Sequence, residues 1–332
     1  MTFTPTAASF AHAFGIGNAV EPLAFIQHTV SRTWRLTTRT GTYLAKELWS
    51  GDDPHWTGQL ADRMAFERQA LEAGIRMPTP ISPIETAFGW AGRIDGVGAY
   101  RVYDWMPGRH AGASDDITDW LAATLATLHR LRPAGRAVQA DWRWDNLVHE
   151  ATWDHRLEAA IRHAKPWAAT LQQRLAAITA LTARLWDAWR TAADDTITHR
   201  DFEPSNVLVT ADGPALIDWD SVGYASATLE AGCVAVSFSA DDPRRIRRVL
   251  EEYGDSGGQL AELQGDLLLQ PIARKLSDLG SQITIALGER PSHRDRNKPA
   301  ILDQTIANGI DGLLEQTSRL TTLGRSVHVA RR

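Results

Sequence analysis

The segments His199-Arg200-Asp201-Phe202-Glu203-Pro204-Ser205-Asn206 and Ile217-Asp218-Trp219-Asp220 flank two short apolar runs, Val207-Leu208-Val209 and Ala215-Leu216-Ile217, and their reading decides the fold. Ala211-Asp212-Gly213 lies between the runs and is a turn sequence, so a β-hairpin is predicted there. A hairpin returns the chain to its starting point, which brings Asp218 back beside the loop that holds Asp201 and Asn206. Taken singly, Asp201 and Asn206 are common turn formers and Asp218 ends a strand. In this order around one hairpin, the three become a set of oxygen donors at one edge of a sheet.

Outward from this segment the chain changes character once. Residues 25–36 and 42–48 are rich in β-branched and aromatic side chains, with Thr38-Arg39-Thr40-Gly41 as a turn between them. Residues 59–73 repeat apolar side chains at helical spacing, stop at Gly74, and give way to Met77-Pro78-Thr79-Pro80, which enforces extended chain. Short strands are predicted at 89–94 and 99–103, followed by a break at Met106-Pro107-Gly108. Beyond Gly108 helical periodicity prevails: at 117–131, with Asp115 or Asp116 as cap, at 157–193, and from Leu229 onward. Residues 288–299 read as a flexible loop and the tail after Leu323 as frayed. The expected organisation is a small β-rich lobe, a hinge near residue 105, and a larger helical lobe with one embedded hairpin.

Composition narrows the classes. The 332 residues carry a formal charge of -5, against the basic surplus of a nucleic-acid binder, so no nucleic-acid partner is expected. No stretch of about 20 apolar residues exists, and the start lacks a basic-then-apolar pattern, so neither a membrane span nor a signal peptide is expected. A single cysteine, Cys233, forms no intramolecular disulfide and fits a reducing compartment, so a cytoplasmic protein is expected.

Phosphoryl transfer from ATP needs a group that positions an acceptor hydroxyl and takes its proton, and oxygen ligands that hold magnesium against the phosphates. An aspartate, an asparagine five residues on, and a second aspartate beyond a hairpin supply all three. The segment resembles the catalytic loop of the aminoglycoside phosphotransferase and choline kinase-like families, relatives of the protein kinase fold. Their pattern runs His-Gly-Asp, four residues, Asn, and later Ile-Asp-Trp with a further acid. The resemblance covers about residues 25–235. It implies an α+β, two-lobed protein kinase-like fold, with a nucleotide-binding lobe at 1–104 and a catalytic, acceptor-binding helical lobe at 105–332. It also implies Asp201 as catalytic base, Asn206 and Asp218 as magnesium ligands, and Asp220 as an aid in the metal shell. The chain departs from the pattern at Arg200, where glycine is frequent, and after Asp220, where Tyr224-Ala225-Ser226-Ala227 replaces an Asp-Pro pair.

The small lobe adds support. Lys46 ends the apolar run Tyr43-Leu44-Ala45, where its ammonium can reach the α- and β-phosphates, and Glu67 on the next helix can hold it by an ion pair. Alone, the pair would read as a snorkelling lysine and a solvated glutamate; ahead of the Asp201 loop it reads as functional. Val30-Ser31-Arg32-Thr33-Trp34 resembles the family's phosphate-approaching turn, implicating Ser31 and Arg32, while Arg32 equally suits an exposed turn. Val102-Tyr103-Asp104-Trp105-Met106-Pro107-Gly108 resembles the inter-lobe linker, whose backbone near Asp104 and Met106 would bond adenine.

Other residues read as architecture. His129 and His199 read as structural hydrogen-bonders, and the 11 histidines show no HExxH-type metal spacing. Trp142, Trp144, Trp153 and Trp167 suit core packing, with stacking on an acceptor ring as the alternative. Residues 251–266 hold five acids and no lysine or arginine: a solvated face, or a rim for a cationic acceptor.

Three functions compete. A protein kinase needs a long activation segment ending in Ala-Pro-Glu, for which helix resuming at Leu229 leaves no room. A non-catalytic nucleotide-binding module would have lost one of Lys46, Asp201, Asn206 or Asp218. A small-molecule kinase fits best. Its expected acceptor is an aminoglycoside or other antibiotic, with choline-like amines, amino alcohols and sugars open.

Overall fold

Thr6 accepts a hydrogen bond from the Ser9 amide at 3.1 Å, and this cap starts α1 (Ala7–Phe14), an element the apolar spacing alone does not announce. Gly15 closes the helix at φ 62°, a left-handed angle at which glycine carries no penalty. The computed structural model describes residues 5–28, 31–48, 54–94, 98–112, 114–131, 150–263, 265–289 and 299–327. Val30, Trp142 and Trp144, and most of the expected loop at 288–299, lie outside them.

The chain forms two compact units. The first joins Met1–Ile117 with His199–Gly223 and the short piece Arg130–Val138. Its main sheet contains β1 (Ala24–His28), β2 (Arg32–Thr37), β3 (Thr42–Leu48), β4 (Pro80–Ile81), β5 (Thr86–Phe88), β6 (Ala91–Ile94) and β7 (Gly98–Asp104). The order is β1-β2-β3-β7-β6-β5, with β4 added on β7. The turn at 38–41 forms as read, Thr38 N–H donating to the Gly41 carbonyl at 2.9 Å. Side chains alternate across the sheet. Trp34, Leu36, Tyr43, Ala45, Tyr100 and Val102 pack with Phe10 and Phe14 of α1. Leu60 and Met64 of α2 (Pro54–Glu72) pack with Leu48, Trp90 and Ala99. Burial of such side chains is worth about 1.5–3 kcal/mol each, and it fixes which strand residues face α2.

A second, small sheet carries the decisive segment. β10 (Val207–Thr210) and β11 (Gly213–Leu216) form the predicted hairpin, and β8 (Arg109–His110) pairs with β10.

The second unit is largely helical: α3 (Thr118–Arg130), α4 (Glu150–Arg162), α5 (Ala168–Ala192), α6 (Ala227–Ser237), α7 (Pro243–Asp255), α8 (Gln270–Ala286) and α9 (Pro299–Ser326). β9 (Asp195–Thr198) pairs with β12 (Gly223–Ser226). Trp153 and Trp167 are fully buried and donate to Thr182 at 3.0 Å and Asp303 at 2.8 Å, so both belong to the core. The Asp115 carboxylate is held by Arg109 at 2.7 and 2.5 Å and by the Gly112 amide at 2.8 Å, a local bidentate clasp. One local expectation is corrected. The chain past Leu323 continues as helix to Ser326, anchored by the buried Val327. Among the described residues, no helix is long and apolar enough to cross a membrane.

Candidate active site

His199 organises the loop that follows it. Its Nε2 lies 3.0 Å from the Ile217 carbonyl, and its Nδ1 accepts from the Asp201 N–H at 3.3 Å. That pattern requires the neutral ring protonated at Nε2, a bonding tautomer with no nitrogen left to act as a base. The ring is fully buried against Trp219, with centroids 4.9 Å apart.

Asn206 holds Asp201 twice. Its Nδ2 donates to the Asp201 carboxylate at 2.9 Å and to the Asp201 carbonyl at 2.8 Å, from a single 3-10 turn at Pro204–Asn206. The Asn206 carbonyl accepts from the Ile217 N–H at 2.9 Å, so the strand leading to Asp218 is stitched to the same turn.

Within this site two non-glycine residues adopt left-handed backbone: Arg200 at φ 59° and Asp218 at φ 66°. The first explains the departure from His-Gly-Asp, since this is the region glycine enters freely. Arg200 offsets the cost by donating from Nε to the Ser221 carbonyl at 2.6 Å, tying the Asp201 loop to the chain after Asp220. Gly223 makes room for it: a Cβ there would lie 2.6 Å from the guanidinium carbon.

Lys46 lies opposite Arg101 in the β3–β7 register, and both are buried. Its ammonium bonds Asp218 at 2.6 Å and Asp220 at 2.7 Å. Burial opposes the charge on Lys46, but Asp220 and Asp218 outweigh it and raise its pKa. Burial likewise pushes the Asp220 carboxyl up, yet Lys46 and Arg101 hold it well below the usual carboxylate range.

Glu67 is fully buried rather than solvated, and its partner differs from the expected one. It accepts from Arg101 at 2.9 Å and from the Tyr103 hydroxyl at 3.0 Å, while Lys46 turns to the two aspartates. Burial pushes the Glu67 carboxyl up to about 7, against the pull of Arg101 and Tyr103. Arg101, which the sequence reading passes over, also bonds Asp220.

The remaining candidates stand apart from this cluster. Ser31 is buried, and Arg32 forks onto Glu47 with bonds of 2.8 and 2.6 Å. The Asp104 N–H is taken by the Thr79 carbonyl at 2.9 Å, so any adenine contact at Asp104 falls to its carbonyl. Met106 is half-buried just beyond β7.

The donor set suits a hard divalent cation. Asn206 uses its amide nitrogen on Asp201, which leaves Oδ1 as the acceptor atom, and Asp218 adds a carboxylate. Among the described residues, no group of three or more His, Cys, Asp or Glu forms a closed metal cage. Two protein oxygens without a cage match a metal whose coordination is completed by phosphates and water.

In the second unit, a cleft of about 1400 Å³ is lined by Glu251, Asp255, Glu262 and Asp266 from the acidic stretch. Arg184 and Arg325 also line it, and Arg184 pairs with Asp266.

Residues 23–264 match the model of the phosphotransferase enzyme family, known as APH. The chain belongs to this family. Its members' kinase-like α+β fold is recognisable in solved structures. One is a spectinomycin phosphotransferase in complex with ADP and spectinomycin, with TM-score 0.63, 14% identity, and coverage of 95% of this chain and 99% of that one. A choline/ethanolamine kinase family protein from Mesorhizobium loti gives 0.62 at 14% identity, covering 96% and 97%. Amicoumacin kinase in complex with AMP-PNP and Ca2+ gives 0.59 at 14% identity, covering 92% and 91%. A search of curated proteins finds no match. This phosphotransferase is therefore an enzyme of the kinase class.

Proposed function

We propose that the enzyme transfers the γ-phosphoryl group of ATP, with magnesium, to a hydroxyl of a small molecule. The observation that carries this is the pair of linked clusters in one compact unit: Lys46 on Asp218 at 2.6 Å, and Asn206 on Asp201 at 2.9 Å. Asn206 and Asp218 would hold the magnesium, which when bound neutralises charge at the phosphates. Lys46 gives up Asp218 for the α- and β-phosphates. Asp201 aligns the acceptor hydroxyl and takes its proton. Ser31 and Arg32 complete the phosphate-facing set, Arg32 leaving Glu47 to do so. The Asp104 carbonyl and Met106 amide bond adenine. On this reading residues 1–104 mainly serve the nucleotide and residues 105–332 the chemistry and the acceptor, with Met106, Asn206 and Asp218 of the latter range also reaching the nucleotide and its metal. Catalysis is then positioning and charge compensation, with no covalent enzyme intermediate.

The acceptor we favour is an aminoglycoside or another antibiotic, with resistance as the physiological role. The likeness to spectinomycin phosphotransferase and amicoumacin kinase supports it. So do the five carboxylates that line the cleft of the second unit, Asp187, Glu251, Asp255, Glu262 and Asp266, which outnumber its two arginines and suit a cation. A small amino alcohol is the second reading, supported by the likeness to a choline/ethanolamine kinase family protein and to an aminopropanol kinase. A protein acceptor is disfavoured because α6 resumes at Ala227, nine residues after Asp218. We place the reaction in the cytoplasm, in keeping with the lone, buried Cys233. An ADP-release screen across hydroxylated antibiotics and metabolites tests the reading. Acceptor-dependent ADP release supports it, and release with neutral acceptors only would count against the cationic class.

A further inference from the structure

Two buried cations directly opposite each other on neighbouring strands are a costly arrangement, since like charges at paired positions repel. Lys46 and Arg101 are such a pair: they share a register position of β3 and β7, with residue exposures of 9% and 2%. Three carboxylates, those of Glu67, Asp220 and Asp218, make the arrangement tenable. Arg101 bonds Glu67 at 2.9 Å with one terminal nitrogen and Oδ1 of Asp220 with the other. Asp220 offers its second oxygen to Lys46 at 2.7 Å. Arg63 donates to the Asp220 main-chain carbonyl at 2.7 Å, which fixes the backbone from which the carboxylate projects. The order of contacts is Glu67, Arg101, Asp220, Lys46, so glutamate reaches lysine only through two intermediates.

We infer that Arg101 is a positioning residue for nucleotide binding: it holds Asp220, so that Lys46 stays directed by one oxygen of Asp220 when it exchanges Asp218 for phosphate. This rests on the proposed phosphotransfer reading and deepens it. A planar fork suits the task, because two terminal nitrogens can serve two carboxylates at once, which an ammonium does not reproduce. Without Arg101, both Asp220 oxygens become available to Lys46. The lysine is then drawn from the phosphates by an undivided carboxylate.

The test measures Mg·ATP binding by calorimetry and thermal stability, in the full chain. Arg101→Leu alone leaves Glu67 buried with the Tyr103 hydroxyl but without a counter-charge, so it is destabilising. The double variant Arg101→Leu/Glu67→Leu removes both buried charges and separates folding from positioning. The expected result is a double variant that melts near the wild type but binds Mg·ATP about tenfold or more weakly. Arg101→Lys, which keeps the charge and loses the fork, is expected to weaken Mg·ATP binding severalfold. It decides the matter should the double variant not fold. Wild-type Mg·ATP affinity in a folded double variant, or in Arg101→Lys, would overturn the inference and leave the kinase reading intact. A wild-type chain that does not bind Mg·ATP would overturn both.

Discussion

At the scale of single residues, Asp218 has two duties that one substitution separates. As a carboxylate it neutralises Lys46 at 2.6 Å, and as an oxygen donor it is one of two residues proposed to hold the metal. Asp218→Asn keeps the shape and one carbonyl oxygen while removing the charge, so Mg·ATP affinity should fall by about tenfold or more and the magnesium requirement should rise. Unchanged calorimetric binding of Mg·ATP would move the metal site elsewhere. Glu67 carries a pH signature. Its carboxyl is raised from 4.5 to about 7 in the fold, so the native state binds more protons than the unfolded chain between those values. Stability therefore falls as pH rises through that window and levels off above it. Glu67→Gln carries no such proton. Its melting temperature relative to the wild type should climb from about pH 4.5 to about pH 7, and a constant difference would show that Glu67 titrates normally. Neither Glu67's partner nor Arg101 was legible in the sequence. Arginine in Tyr100-Arg101-Val102-Tyr103 reads as the polar position of a strand, and only the packing of α2 over that face makes it buried.

Among elements, the hairpin was legible because apolar runs around an Asp-Gly turn leave few alternatives, and its register pairs Thr210 with Gly213. The helix read at 59–73, which begins earlier, at Pro54, and the turn at 38–41 were legible for like reasons of periodicity and turn chemistry. Short pieces escaped notice. The two-residue strands β4 and β8 have no period to detect and exist because longer neighbours, β7 and β10, offer bonding edges. The link between the Asp201 loop and β12 also needed the structure, since Arg200 and Gly223 are 23 positions apart in sequence and adjacent in space. Gly223→Ala tests that link. A methyl group 2.6 Å from the Arg200 guanidinium carbon must push it off the Ser221 carbonyl. Overpacking of this kind costs about 1–3 kcal/mol, so the variant should melt several degrees lower. Gly223→Ala at the wild-type melting temperature would mean that Arg200 has room to spare.

Across the whole molecule, fold and reaction class follow from motifs that few other chemistries require together, while the acceptor does not. Acceptor recognition is a matter of cleft shape and charge assembled from distant helices, and the cleft of the second unit draws on α5, α7, α9 and the chain between α7 and α8. Four of its acids come from residues 251–266, but Asp187, Arg184 and Arg325 come from elsewhere in the chain, so that stretch alone does not give the charge of the cleft. The proposed reaction, by contrast, converges on one carboxylate. Asp201 is held by Asn206 but makes no bond to Lys46, so its loss should spare the nucleotide and remove the proton acceptor. Turnover and Mg·ATP affinity, measured side by side for the wild type and Asp201→Ala with any acceptor that supports ADP release, test this most directly. The expected result is turnover lower by about a hundredfold or more in Asp201→Ala, with Mg·ATP affinity within a few fold of the wild type. Near wild-type turnover in Asp201→Ala would contradict the assignment of this loop as the site of phosphoryl transfer.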